Sequence, residues 1–206
     1  MSTPPAPDAP SLPDGLLLEC LVTTLDADGQ VHLAPMGPIV DPSFERVLLR
    51  PYPPSRTLDN LRRDGAAVMH TTDDAALLAR AAIGELTELP ATTPTPDCRG
   101  AILSDACQWR QLSVESIDDS TCPVQVVCRV SGSGVLRDFV GFNRAKHALI
   151  EAAILATRID HLPHEKILAQ VAMLAAPVDK TGGHAERDAF QEVRCFIENR
   201  IREGLR

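Results

Sequence analysis

The sequence predicts an α+β fold, strand-built up to about residue 135 and helical after it. Two observations carry this. Between Leu16 and residue 135 the apolar residues fall in short runs parted by Gly, Pro and Asp, the punctuation of strands and turns. Beyond Gly141 they recur at helical spacing over long stretches. A third observation concerns the material of the core. With 206 residues, 44% of them hydrophobic, the chain can bury a full core; with aromatics at only 3%, that core is built from Leu, Val, Ile and Ala. Three regions follow: a loose arm over 1–14, a β-domain over 15–135 and a helical section over 136–206.

In order along the chain, the arm has five prolines and little to bury. Leu16–Thr24 is an apolar strand, Asp26-Ala27-Asp28-Gly29 supplies turn chemistry, and Val31–Gly37 returns as the second strand of a hairpin. Its end, Leu33-Ala34-Pro35-Met36-Gly37-Pro38, carries two prolines, which marks an edge or an irregular segment. That segment is either a flat surface for a planar ligand or a strand finishing at a bend. Phe44–Pro51 is a third strand and Ala66–His70 a short buried one. Thr71-Thr72-Asp73 caps a helix running to about Ile83. Gly84–Asp105, with Pro90, Pro94 and Pro96, reads as a long loop, a type of segment that is often functional. Cys107–Ser116 and Val124–Ser131 are two more strands, and Gly132-Ser133-Gly134 is a bulge or turn. Helices are expected over Asn143–Ile159, over His164–Ala176 with Pro177 as its stop, and over Ala185–Arg202, whose inner face is Phe190, Val193, Ile197 and Ile201.

The formal net charge of -8 argues against a nucleic-acid partner, because neutralising phosphates needs a basic face. No apolar run is long enough to span a bilayer, and the Pro- and Ala-rich start does not read as a signal peptide. Cys20, Cys98, Cys107, Cys122, Cys128 and Cys195 form no C-x-x-C pair, so reduced, mostly buried thiols in a cytoplasmic protein are expected.

The stretch Arg50-Pro51-Tyr52-Pro53-Pro54-Ser55-Arg56-Thr57-Leu58-Asp59-Asn60-Leu61 reads as a strand end, a proline corner and a helix start. Ser55 is the N-cap, Leu58 and Leu61 face inward, and Gly65 ends the helix. A helix start presents unpaired N–H groups and the positive end of its dipole. Here it also has the hydroxyls of Ser55 and Thr57 and the guanidiniums of Arg50 and Arg56, a set suited to a phosphate. The plainer alternative is a capped helix with solvated arginines.

Taken together, these segments have a distinctive order: Val22-Thr23-Thr24 on one strand, Ala34-Pro35-Met36-Gly37 ending the next, a strand ending in Arg50, then Ser55-x-Thr57-x-x-Asn60-Leu61, then Val68-Met69-His70-Thr71. This order resembles the FMN-binding split-barrel flavoproteins, the flavin reductase-like group. It is most similar to an uncharacterised branch with a helical tail, which Phe142-Asn143-Arg144-Ala145, Ile150-Glu151-Ala152 and Thr157-Arg158 also resemble. The resemblance implies a six-stranded antiparallel split β-barrel of Greek-key type, occupying 15–135, that dimerises with FMN near the subunit interface. It further implies that Ser55, Thr57 and Asn60 hold the phosphate, assisted by Arg50 or Arg56, and that the Ala34, Pro35, Met36 and Gly37 backbone lies along the isoalloxazine edge.

His70 admits two readings: a hydrogen-bond donor to the flavin, titrating near neutrality, or a strand-end histidine bonded to a backbone carbonyl. His161 and His164 flank Pro163 at non-helical spacing, with no Cys or carboxylate motif beside them, so no metal site is expected. Asn143, Arg144, Glu151 and Arg158 punctuate an apolar helix. They form either an intersubunit ion-pair network or, through Asn143, Arg144 and Arg158, a site for an acidic or phosphorylated small-molecule substrate. No hydrolytic triad is readable, and a flavoprotein does not need one, since the cofactor carries the redox chemistry. The expected function is an FMN-dependent oxidoreductase working by hydride or electron transfer. The alternatives are a non-catalytic flavin carrier and a cofactor-free dimeric scaffold on the same fold.

Overall fold

In the computed structural model, which describes residues 15–204, the turn read at Asp26–Gly29 closes a hairpin between β2 (Cys20–Leu25) and β3 (Val31–Met36). Asp26 Oδ1 accepts from the N–H groups of Asp28 and Gln30, at 3.0 and 2.8 Å, while Gly29 takes a positive φ of 75°. The arm over 1–14 lies outside the described residues.

The chain forms two compact units. Among the described residues, one is built from the chain up to Thr71 with Ala91–Ser104 and Gln108–Leu136; the other from Thr72–Pro90, Asp105–Cys107 and the described chain from Arg137 onward.

The first unit is a curled antiparallel sheet. Its remaining strands are β1 (Leu16–Leu17), β4 (Ile39–Val40), β5 (Arg46–Leu49), β6 (Ala66–Thr71), β9 (Gln108–Asp118) and β10 (Gln125–Val135), in the order β1-β4-β5-β10-β9-β6-β2-β3. The expected six strands are therefore eight: the two-residue strands β1 and β4 pair with each other and extend one edge. The single strand expected over Leu16–Thr24 splits because Leu16–Leu17 pairs with β4 while Cys20–Leu25 pairs with β3. The third strand starts late because Asp41 builds a turn, accepting from the N–H groups of Glu45 and Arg46 at 2.9 and 3.2 Å. One face of the sheet closes over Val22, Val47, Leu49, Met69, Leu112 and Val126, and helix α1 (Arg56–Asp64) adds Leu58 and Leu61 to that core.

Gly132-Ser133-Gly134 does form a bulge, with the register against β9 shifting between Val130 and Gly132. The loop expected over Gly84–Asp105 is not all loop. It contains a hairpin of β7 (Thr92–Pro94) and β8 (Ala101–Leu103). Asp97 ties its tip, accepting from Thr95 Oγ1 at 2.8 Å, the Arg99 N–H at 3.1 Å and Gln111 Nε2 at 2.7 Å. Gly134 sits opposite Trp109, and a Cβ there would lie 2.5 Å from the indole nitrogen. Gly134→Ala should destabilise the protein by about 1–3 kcal/mol through this overpacking and change Trp109 fluorescence, both readable in one denaturant titration.

The second unit packs α2 (Ala75–Ile83), α3 (Arg144–Thr157), α4 (His164–Thr181) and α5 (His184–Gly204) around Ala79, Ala148, Leu149, Ala152, Ile167, Val193 and Ile197. Asp74, not Thr71–Asp73, caps α2, its carboxylate accepting from the Leu77 N–H at 2.9 Å. Pro177 does not stop α4. It removes one intrahelical donor, yet Val178 is buried beyond it, Thr181 Oγ1 donates to the Pro177 carbonyl at 2.8 Å, and the Gly182 N–H closes on the Val178 carbonyl at 2.8 Å. Of the six cysteines, all free, Cys20, Cys107 and Cys128 are buried and Cys98, Cys122 and Cys195 exposed, so half rather than most of the thiols are enclosed.

Candidate functional site

Around the start of α1 the local chemistry is as the residues dictate. Ser55 is extended and caps the helix, accepting from the Leu58 N–H at 3.3 Å, and Gly65 ends it in the left-handed region at φ 61°. With Leu58 and Asp59 N–H groups bonded to Ser55, the N–H groups of Arg56 and Thr57 remain open at the positive end of the helix. Ser55 is half-buried and Arg56 exposed, while Thr57 is only 2% exposed.

Arg50 brings a second element to this corner. Its Nη2 donates to the Gly37 carbonyl at 3.3 Å, joining the end of β3 to the proline corner. Its Nε is enclosed and has no hydrogen-bond partner, and among the described residues Arg50 forms no ion pair. A guanidinium held that way leaves an N–H donor unsatisfied, a cost that an anion would remove. Ala34, Pro35 and Met36 lie on β3, an outer strand of the sheet, half-buried along its whole length with one backbone edge unpaired by any strand.

His32 belongs to the same neighbourhood and was not singled out in the sequence. Partial burial, then the Arg56 guanidinium, holds its ring below its ordinary pKa; it lies on β3 opposite Thr24, the residue that Asn60 of α1 bonds. The signal was its alternation with Ala34 and Met36 on one face of β3.

Two of the residues expected here are placed elsewhere. Asn60 lies more than a turn further along α1, 2% exposed, its amide donating to Thr24 Oγ1 at 2.8 Å and its carbonyl accepting from Arg63 Nη1 at 3.1 Å. It pins the helix to β2 and has no side chain free for a phosphate. His70 is fully enclosed. It pairs with Leu21, whereas α1 packs on the face that carries Val22, Thr24 and Met69, so His70 points to the opposite side of the sheet. Its Nδ1–H donates to the Leu21 carbonyl at 3.2 Å and its Nε2 accepts from the Leu103 N–H at 3.0 Å. Burial pushes its pKa down to about 4, well below neutrality, and both ring nitrogens are engaged by the backbone. His70 is thus a strand residue bonded to a backbone carbonyl.

In the helical unit the three polar residues grouped as a substrate site separate. Asn143 caps α3, with Oδ1 accepting from the Ala145 and Lys146 N–H groups and Nδ2 donating to the Thr181 carbonyl at 3.1 Å. Arg144 opens α3, and Arg158 is its C-terminal cap, roughly 20 Å away along the helix. Arg144, Glu151 and Arg158 are exposed rather than buried. Among the described residues no cluster of His, Cys, Asp and Glu could hold a metal, and no helix is long and apolar enough to cross a membrane.

Comparison with known proteins agrees with this architecture. A family model described as the N-terminal domain of a protein of unknown function, DUF447, matches residues 18–137, and a second DUF447 model matches residues 143–194. No curated protein matches the sequence. Among solved structures, an FMN-bound DUF447 protein from Methanosarcina mazei is similar at a TM-score of 0.73 and 20% identity, covering 90% of this chain and 96% of that one. The styrene monooxygenase flavin reductase from Pseudomonas putida S12 aligns at a TM-score of 0.49 and 18% identity, over 58% of this chain and 81% of that one. A flavoredoxin from Methanosarcina acetivorans aligns at 0.49 and 8%, over 63% and 76%. At 20% identity the likeness to the Methanosarcina mazei protein is one of fold.

Proposed function

The chain belongs to the DUF447 family, and from that premise we propose that it is an FMN-binding oxidoreductase of the flavin reductase-like kind, acting on a small molecule. The observation that carries this is the enclosed Arg50 Nε without an acceptor, beside a helix start with two open N–H groups. A phosphate satisfies both. The FMN bound by the Methanosarcina mazei protein, whose fold this chain shares, supports the choice of ligand. In this reading Arg50, Ser55 and Arg56 hold the phosphate, Thr57 contributes its N–H, and the open edge of Ala34–Gly37 lies along the ring. Bound FMN would supply hydride and single-electron chemistry; the chain's own part is to orient it and set its surroundings. The absorbance spectrum of the purified protein, with mass spectrometry of the released ligand, tests the cofactor. Reduction by a nicotinamide cofactor followed by turnover separates an oxidoreductase from a flavin carrier. A colourless protein that takes up no added FMN would overturn the reading.

The proposal includes a homodimer. Phe139 and Phe142 meet edge to face at 6.0 Å, Phe142 is fully exposed and Val140 is 81% exposed. This apolar segment is held in place: Arg137 Nη2 donates to the buried Asp73 carboxylate at 2.6 Å, which also accepts from the Val140 N–H at 2.9 Å. The Arg137 guanidinium and then the Val140 N–H hold the Asp73 carboxyl well below the usual carboxylate range. Apolar surface kept rigid and exposed marks an association surface. Light scattering at micromolar concentration should give a dimer mass, shifting toward monomer in Phe142→Asp; a stable wild-type monomer would count directly against it.

A further inference from the structure

We propose that the cleft between α3 and α4 in the helical unit binds a small amphiphilic carboxylate, an organic acid with an apolar body and one negative head. The cleft measures about 330 Å³, at the small end of ligand pockets. Its floor is Ala148, Leu174 and Pro177, and its rim is Arg144, His147 and Lys180. The two helices run antiparallel here, since the Ala145 N–H at the start of α3 bonds Thr181 Oγ1 at the end of α4, at 3.1 Å. Arg144, His147 and Ala148 share one face of α3, and Leu174, Pro177 and Lys180 recur every third residue along α4.

Three features set the ligand class. No carboxylate lines the cleft, although the chain as a whole carries a net charge of -8. Among the described residues neither Arg144 nor Lys180 forms an ion pair, and none of the three rim side chains forms a hydrogen bond. The N–H groups of Ala145 and Lys146 are already taken by Asn143 and Thr181, so an anion would be held by side chains rather than by the helix start. The apolar floor then demands a body to cover it, which excludes inorganic anions as the preferred ligand. The larger cleft of the same unit, about 970 Å³, offers a contrast: its Arg80 is spent on Glu192, at 2.7 and 3.0 Å, and Glu85, Glu88 and Glu203 line it.

Calorimetric titration of the full chain with octanoate tests this, with acetate as the head alone and octan-1-ol as the body alone. Saturable one-to-one octanoate binding is expected, with acetate and octan-1-ol weaker by about tenfold or more. Arg144→Gln with Lys180→Gln should weaken octanoate by about tenfold or more while the circular dichroism spectrum and melting temperature stay as in the wild type. Leu174→Glu tests the floor separately and should abolish binding. Octanoate that fails to saturate, octan-1-ol that binds equally well, or a double variant with wild-type affinity would each overturn the proposal. FMN affinity is measured in parallel and is expected to be unchanged in these variants, so the two readings fail independently.

Discussion

Arg50→Met combined with Ser55→Ala should lower FMN affinity by about 3–6 kcal/mol, two to four orders of magnitude, because each loses a hydrogen bond to a charged group worth about 1.5–3 kcal/mol. The two substitutions separate cleanly in the protein without ligand. Met keeps the apolar stem of Arg50; it loses the bond to the Gly37 carbonyl but also removes the enclosed, unsatisfied Nε, so the two effects offset and Arg50→Met alone should change the stability of the FMN-free protein by about 1 kcal/mol or less. Ser55 caps α1 through the Leu58 N–H, so Ser55→Ala alone should cost about 1 kcal/mol of stability in addition to affinity. Thr57→Val is the internal control. The side chain is almost wholly enclosed, so if only the Thr57 N–H serves the phosphate this variant keeps its affinity. Fluorescence titration of FMN and urea unfolding of each FMN-free variant read the two quantities separately. A double variant with wild-type FMN affinity would remove the phosphate from this corner.

What the sequence made legible here was local. Ser55 as N-cap, Gly65 as left-handed end, the Asp26–Gly29 turn and the inner face of α5 each depend on residues within a few positions of one another, and each formed. What was not legible at the sheet depends on distant partners. Asn60 is committed to Thr24, 36 residues away, and His70 to Leu21 and Leu103, 49 and 33 away. Which face a strand residue takes is set by its neighbours in the sheet, and His70 differs from Met69 by one position and therefore by a whole face. Pro177 was a sound local stop signal that packing of Val178 overrode. Glu151 and Arg158 punctuate the apolar pattern of α3, but that pattern alone did not tell that both face water. Arg50 was legible as a cation near a helix start; that its Nε would be enclosed without a partner required the strand end at Gly37.

His70 carries the other large effect, on stability against acid. Folded, its ring is enclosed and neutral with a pKa of about 4, against an ordinary value of 6.5 for the unfolded chain. Because the folded value is the lower one, the unfolded state takes up the proton first as the pH falls. The contribution is fully present above pH 6.5, declines through the interval between 6.5 and about 4, and is lost below that. At pH 4 the loss amounts to about 3 kcal/mol, a large part of the stability of an ordinary domain. His70→Gln keeps one amide donor for the Leu21 carbonyl and one carbonyl acceptor for the Leu103 N–H, but has no proton to take up. Urea unfolding at pH 7 and pH 4 is therefore expected to show the wild type losing about 3 kcal/mol more than the glutamine variant between the two. Carboxylates that titrate over the same interval act on both proteins and cancel in the difference. Parallel losses in the two proteins would mean that the His70 ring takes up its proton in the folded state as readily as in the unfolded one, and that the bridge it forms between Leu21 and Leu103 opens in acid at little expense.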